Sequence, residues 1–293
     1  MLATQLSAKG WQAEYAPHPG RDPRAWAALL PKLARADLLY LISSRVDRRS
    51  PQAMLLRVRN RPTVIHWVGT DALIATEELA RGNVARQVVT KPTHWVDGRW
   101  LSDELAPLGI HAEYVPLPIP VPHGEPPPLP ADFRVLLYLP EDAFDREVFD
   151  VETILRLPLE FPDIAFTIRP SSAASLPSPL PANVDAPGWA TNIEDLYANT
   201  TVVVRLTTHD GVSFMAVEAL SRGRYVIWTF PMEGAILASG FEAVAEATRV
   251  LYERHKSGAL PLNVEGITHT RIHFDQPTLI ANVDQRLRAL LRS

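Results

Sequence analysis

From Pro116 to Pro130 the chain reads PLPIPVPHGEPPPLP, eight prolines in fifteen positions. Proline fixes φ and removes a backbone donor, so neither a helix nor a central strand runs through such a segment. The segment predicts an extended, semi-rigid connector; a ligand for a proline-recognising partner is the alternative. It lies near the middle of 293 residues, a length that suits about two domains. We therefore expect an N-terminal domain over 1–120, a C-terminal domain over 121–275, and a closing helix at 276–293 that crosses back to the first domain.

On both sides of the connector, strand-like and helix-like pieces alternate. Before it, helices are expected over Leu2–Lys9, Ala25–Arg35, Pro51–Asn60, Asp71–Ala80 and Trp100–Leu108. Strands are expected at Trp11–Tyr15, Asp37–Ile42, Thr63–Val68 and His111–Val115. After it, strands are expected at Phe133–Tyr138, Asp163–Ile168, Thr201–Leu206 and Arg224–Thr229. Helices are expected there over Asp145–Leu157, Ile193–Ala198, Val212–Arg222, Glu242–Ser257 and Pro277–Arg292. Strands alternating with helices predict parallel sheets and an α/β fold of two Rossmann-like, doubly wound domains facing a cleft. The chain opens directly in a helix, so either the first strand of the N-terminal sheet is missing from this sequence or the sheet is built without it.

Composition narrows the function. With no cysteine, disulfides, thiolate metal sites and thiol nucleophiles are excluded. The net charge of −4 gives no global attraction to nucleic acid. No apolar run reaches the 18 or so residues of a spanning helix, and Met1–Gln5 lacks a leader pattern; a cytoplasmic protein is expected. Charge is uneven: residues 1–125 carry 15 Lys/Arg against 12 Asp/Glu, and residues 126–293 carry 14 against 21. The run from Arg45 to Arg61 holds six arginines and one acid, Asp47. It is a solvated face, or a contact with a phosphorylated acceptor or with anionic lipid at the inner face of a membrane. Oligomeric state is not legible, and no His/Asp cluster has metal-ligand spacing.

The most informative stretch is TVVVRLTTHDGVSFMAVEALSRGRYVIWT, Thr201 to Thr229. A strand delivers Thr208, His209 and Asp210 to its carboxyl end, Gly211 permits a tight turn, and Ser213 opens the next helix. Helix-start N–H groups and hydroxyls suit a phosphate. Glu218, eight residues beyond Asp210, can reach the same pocket and accept two hydrogen bonds from ribose hydroxyls.

An acid, a glycine, a helix start, Glu-Ala-Leu, a glycine and a Val-Ile strand together resemble the donor motif of family 4-like retaining glycosyltransferases of GT-B fold. Gly188-Trp189 with Asn192–Tyr197 resembles the nucleobase-facing segment. Val64–Asp71 resembles the N-domain strand end facing acceptor and donor sugar, and Ser102–Pro116 the helix and strand before the interdomain crossing. The resemblance covers about residues 60–235. It implies metal-independent transfer of a sugar, with retention, from an NDP-sugar to an acceptor in surface polysaccharide or glycolipid synthesis, with no further cofactor. It implies that Asp210 contacts the donor sugar, where the family has glutamate, and that Glu218 holds the ribose. His66 and Asp71 would face the reacting groups, with Gly188, Trp189, Arg205, Thr208, His209, Gly211 and Ser213 on the donor.

Each residue has a structural alternative. His66 can be a satisfied core histidine, Asp71 a helix cap, His209 part of a turn, Glu218 a buried ion-pair partner. Trp95 and Trp100 beside His94 suit sugar stacking or plain packing; Tyr197 and Trp189 are core or base platform. The loop Leu139–Arg146 is acidic except for Arg146 where the family places cations, with Arg169 and Arg205 substitutes by position. A non-catalytic nucleotide- or sugar-binding relative, or a partner of an active enzyme, is therefore the second expectation, and nucleotide-sugar epimerisation a third.

Overall fold

The computed structural model describes all residues except 1, 18, 21, 142–146 and 293. The start of the expected 145–157 helix and Arg146 lie outside the described residues. The chain divides into two compact units, one of residues 1–118 with 276–293, the other of residues 119–275.

The N-terminal unit has four parallel strands in sequence order, β1 (Leu39–Ile42), β2 (Thr63–Trp67), β3 (Thr93–Val96) and β4 (Glu113–Tyr114). All five β2 residues are buried, as expected of a strand covered on both faces. One face carries Ile65, Trp67 and Val96. These pack with Leu56 of α3 (Pro51–Val58), Ala72 and Ala75 of α4 (Thr70–Ala80), Val88 of α5 (Arg86–Thr90) and Leu101 and Leu105 of α6 (Trp100–Leu105). The other face, Val64 and Trp95, is covered by Leu6 of α1 (Leu2–Ala8) and by Val283 and Leu287 of the last helix, α12 (Gln276–Leu290). The chain's end thus completes the layer that the sequential strand order leaves without a crossover helix. α2 (Pro23–Arg35) precedes β1 at the sheet's edge.

The C-terminal unit has six parallel strands: β5 (Arg134–Leu139), β6 (Ala165–Pro170), β7 (Val184–Asp185), β8 (Val202–Arg205), β9 (Tyr225–Trp228) and β10 (Ile236–Leu237). Their order is β10-β9-β8-β5-β6-β7, so the winding reverses between β5 and β8, which pair as Leu136 with Val203 and Leu137 with Val204. A ligand crevice forms outside the carboxyl ends of strands at such a reversal. Here Val148 and Phe149, shortly before the helix that follows β5, meet Thr208 and Thr207, just after β8. The helices are α7 (Val151–Glu160), α8 (Ile193–Ala198), α9 (Phe214–Ser221), α10 (Phe241–Lys256) and α11 (Val264–His273). α7 and α10 supply Ile154, Leu157, Val244 and Leu251 to the core over Val135, Phe166 and Val204. Local chemistry sets the helix starts: Asp150, Asn192, Ser213 and Asn263 each accept a backbone N–H of the following turn.

Three expectations change. Trp11–Tyr15 forms no strand; its alternation reflects Trp11 packed beside α12, with its indole N–H donated to Asp284 at 2.6 Å. Asp163 lies before β6, and the helix expected over Val212–Arg222 starts at Phe214, because Ser213 caps it. The connector holds no helix and no strand, as expected, and it is strapped down: Leu117, Ile119 and Val121 are buried, and the fully buried Arg224 donates to the carbonyls of Pro127 and Pro128 at 2.9–3.1 Å. Prolines leave carbonyls without competing N–H groups, and a guanidinium fork satisfies two of them at once.

Candidate functional site

At the β8 carboxyl end, Arg205 and Asp210 are each other's partners. Arg205 Nε donates to Asp210 Oδ2 at 2.6 Å and Nη2 to Oδ1 at 3.1 Å, a bidentate pair with both side chains largely buried. Thr207 adds a longer contact to Oδ2 at 3.4 Å. The guanidinium also lies over Tyr138 and Phe149, 4.7 and 5.3 Å from the ring centres. Burial opposes the charge on Arg205, but Asp210 and Tyr138 outweigh it and hold the group above its ordinary pKa. Thr208 is exposed, with its N–H and hydroxyl on the Val148 carbonyl. His209 and Gly211 are buried in the same turn. The Ser213 hydroxyl accepts the Ala216 N–H at 3.2 Å, so its first duty is to cap α9.

Glu218 sits one and a half turns along α9. Its Oε2 accepts the Tyr197 hydroxyl at 3.0 Å, and that hydroxyl also lies 3.3 Å from the Met215 carbonyl. Arg222 donates through Nη1 to the Glu218 carbonyl and through Nε and Nη2 to the Glu194 carboxylate. Burial raises the Glu218 pKa, while Tyr197 and Arg222 pull it down. Among the interactions described, Asp210 and Glu218 share no partner. Asp210 is turned to Arg205 and Thr207, Glu218 to Tyr197 and the α8–α9 contact. Tyr197 was not read from sequence as the partner of Glu218, since the two lie 21 positions apart.

The β6–β7 side holds the third group of candidates. Gly188 takes φ of +83°, which favours glycine. Its carbonyl accepts Arg169 Nη1 at 2.7 Å, so Arg169 fixes this turn. Trp189 is 75% exposed and is therefore no core residue. Beside it a cavity of ≈ 290 Å³ lies between β5–β6 and α8, lined by Arg134, Thr167, Arg169, Asn192 and Asn199. Asp210, Ser213 and Glu218 do not line it.

The two N-terminal candidates prove to be buried. His66, expected at the reacting groups, is fully buried; its Nδ1 meets the Tyr40 hydroxyl and its ring packs against Tyr40 and Trp95. Burial drives its pKa down to about 3, so it is a neutral core histidine. Asp71 is 4% exposed and accepts three backbone N–H groups, from Ser44, Val68 and Ala72. It ties the ends of β1 and β2 to the start of α4, and burial raises its pKa to about 6 despite those bonds. Trp95 and His94 are also core: Trp67 Nε1 donates to His94 Nδ1 at 3.1 Å, which leaves the His94 proton on Nε2, facing the Val89 carbonyl at 3.0 Å. Two of the six arginines in the basic run are engaged at the end of α2. Arg59 is buried and donates to the Leu33 and Ala36 carbonyls, and the exposed Arg61 donates to those of Arg35 and Ala36, where they satisfy the end of α2.

No group of three or more His, Asp or Glu side chains is placed to hold a metal ion among the described residues. No helix among them is long and apolar enough to cross a membrane.

An α/β chain with a reversal-bearing parallel sheet in one unit, and a second parallel sheet in the other, has the GT-B type of glycosyltransferase fold. It is similar to sucrose-phosphate synthase from Thermosynechococcus elongatus, with a TM-score of 0.73 and 14% identity over 99% of this chain and 92% of that one. Anabaena HepE in complex with UDP-glucose aligns with a TM-score of 0.68 and 13% identity over 98% and 88%. A glycosyltransferase from Rickettsia africae aligns with 0.61 and 9% identity over 99% and 88%. No family profile matches the chain, and no curated protein matches it in sequence.

Proposed function

We propose that this protein transfers a sugar from a nucleoside-diphosphate sugar to an acceptor, with the nucleotide held by the C-terminal unit. One observation carries the reading: Glu218 is a half-buried carboxylate on the helix that starts at the sheet's reversal, with Tyr197 fixing one of its oxygens. Its other oxygen is an acceptor for ribose hydroxyls, and the α9 start, capped by Ser213, offers N–H groups to a phosphate. The fold it shares with a structure solved with UDP-glucose supports this. In the proposed reaction, charge that develops on the departing diphosphate is met by helix N–H groups and hydroxyls without a metal. Retention follows from the family resemblance alone.

A second reading is favoured by the Arg205–Asp210 pair. Both residues were expected on the donor, yet each neutralises the other. That arrangement suits a protein that binds a nucleotide or sugar without turning it over.

The test is calorimetric titration with UDP-, GDP- and ADP-sugars. One of them is expected to bind, and Glu218→Gln, which keeps the shape and loses the charge, should weaken it about tenfold to a hundredfold, the worth of a charge-assisted hydrogen bond. Binding by none of the three would overturn the first reading and the second together. Binding with product formation decides for transfer; binding without it, across an acceptor panel, decides for the second reading.

A further inference from the structure

We propose that α2 is a membrane-docking helix that lies in the interface of an anionic bilayer. No residue of α2 from Arg24 to Arg35 is fully buried, although the helix is 13 residues long and strongly amphipathic. On a wheel at about 100° per residue, Ala25, Trp26, Leu29 and Leu33 share one arc, and these are the half-buried positions facing the body. Leu30, Ala34, Ala27 and Pro31 occupy the next arc of about 100°, and all four are exposed, Leu30 by 53%. The apolar face is thus about twice as wide as the protein covers.

Charge selects the occupant. Arg24 and Arg35 follow on from the exposed stripe together with Lys32, which is paired with the exposed Glu14, and α2 itself holds no acid. From Pro23 to Arg61 there are nine Lys/Arg against two Asp, in a chain of net charge −4. Arg59 and Arg61 clasp the end of α2 and so fix it beside the end of α3. There Val58 is 82% exposed and Met54 60% exposed, with Arg57 between them. Two helix ends with apolar stripes edged by cations fit the acyl–headgroup boundary of an anionic leaflet. The expected basic run contributes by positioning α2 as much as by its own charge.

The test is co-sedimentation of the full chain with vesicles. Equal parts of phosphatidylglycerol and phosphatidylethanolamine are compared with phosphatidylcholine alone. The protein should partition at least about tenfold more onto the anionic vesicles, and high salt should weaken this. Leu30→Glu should remove most of the binding, and Lys32→Gln with Arg35→Gln should lower it about tenfold or more. Both variants change exposed side chains, so their melting temperatures should match the parent; should Leu30→Glu melt early, the Lys32/Arg35 pair decides. No binding to anionic vesicles would overturn the proposal, as would Leu30→Glu binding like the parent. A dimer in solution that Leu30→Glu dissolves, without vesicle binding, would instead assign the stripe to a second copy and likewise overturn it. No nucleotide enters the assay, so its failure leaves the glycosyl-transfer reading untouched.

Discussion

Arg205→Met is expected to destabilise the C-terminal unit by about 3–5 kcal/mol, because it leaves Asp210 largely buried without its cation. Asp210→Leu should do comparable damage from the other side, by stranding a guanidinium whose remaining neighbours are mostly aromatic. Breaking a buried pair is costly because the survivor has lost its water and its partner, whereas removing both charges is often neutral. The double variant Arg205→Met/Asp210→Leu should therefore recover most of the loss. Urea denaturation followed by fluorine NMR of fluorotryptophan-labelled protein, at the resonance of Trp228, which lies on β9 in register with Arg205, reports the unit directly. If each single change costs under about 1 kcal/mol, the pair is an ordinary surface contact, and Asp210 is released for the donor. The same variants separate the two functional readings. A donor contact predicts that Asp210→Asn lowers turnover while the unit stays folded; a purely structural pair predicts that stability and nucleotide binding fall together.

Much of the architecture was legible because its strands are continuous apolar runs. Thr63–Trp67, Arg134–Leu139 and Val202–Arg205 needed only burial on both faces to be recognised. β3 was missed for the opposite reason. Thr93-His-Trp-Val96 contains two side chains that look functional, and it reads as a strand only once Trp67 and the Val89 carbonyl are known to satisfy His94. α11 gave no signal either: Val264–His273 has several β-branched residues, an interior glycine and no amphipathic period. Both Gly266 and its neighbour Gly234 are needed for proximity, since a Cβ on Gly266 would come within 2.7 Å of the Leu220 Cδ2. A Cβ built on Gly234 would come within 2.4 Å of the Gly266 Cα, so backbone packs on backbone. β7 and β10 are two-residue pairings that no pattern marks.

The site divides the same way. The loop from Thr207 to Ser213 and the position of Glu218 follow from local spacing, and the strand order places that loop at the reversal. The pairings do not follow. Arg205 with Asp210, Tyr197 with Glu218 and Arg222 with Glu194 join residues 5, 21 and 28 positions apart. Each turns a residue with apparent chemistry into one with a partner. His66 and Asp71 show how far this goes: motif-like positions at a strand end, they are held by Tyr40 and by three backbone amides respectively.

His66 and His94, opposed by Asp71, should make the N-terminal unit sensitive to acid. Burial lowers the His66 and His94 pKa values to about 3 and about 4, whereas an unfolded histidine titrates near 6.5. Between those limits the unfolded chain binds two protons that the folded unit refuses, so their contribution is present above about pH 6.5 and is lost as pH falls. Asp71 acts with the opposite sign. At about 6 in the folded state against roughly 3.9 unfolded, it binds a proton that the unfolded chain does not, and favours the folded unit below pH 4. Near pH 5 the unfolded chain therefore gains a net one proton from these three groups, and stability should drop by about 1.4 kcal/mol per unit of pH lost. Asp71→Asn removes the opposing group and should steepen this by about a further 1.4 kcal/mol per unit; His94→Gln, able to keep both hydrogen bonds, should flatten it by the same amount. The readout is the urea midpoint of the fluorine NMR signals of fluorotryptophan at Trp67 and Trp95, both in this unit's core, across pH 4.5 to 6.5 or so. Comparing each variant with the parent cancels the exposed carboxylates, whose titration is common to both. An Asp71→Asn slope no steeper than the parent's would mean that Asp71 stays ionised in the folded unit, its charge carried by the three amides.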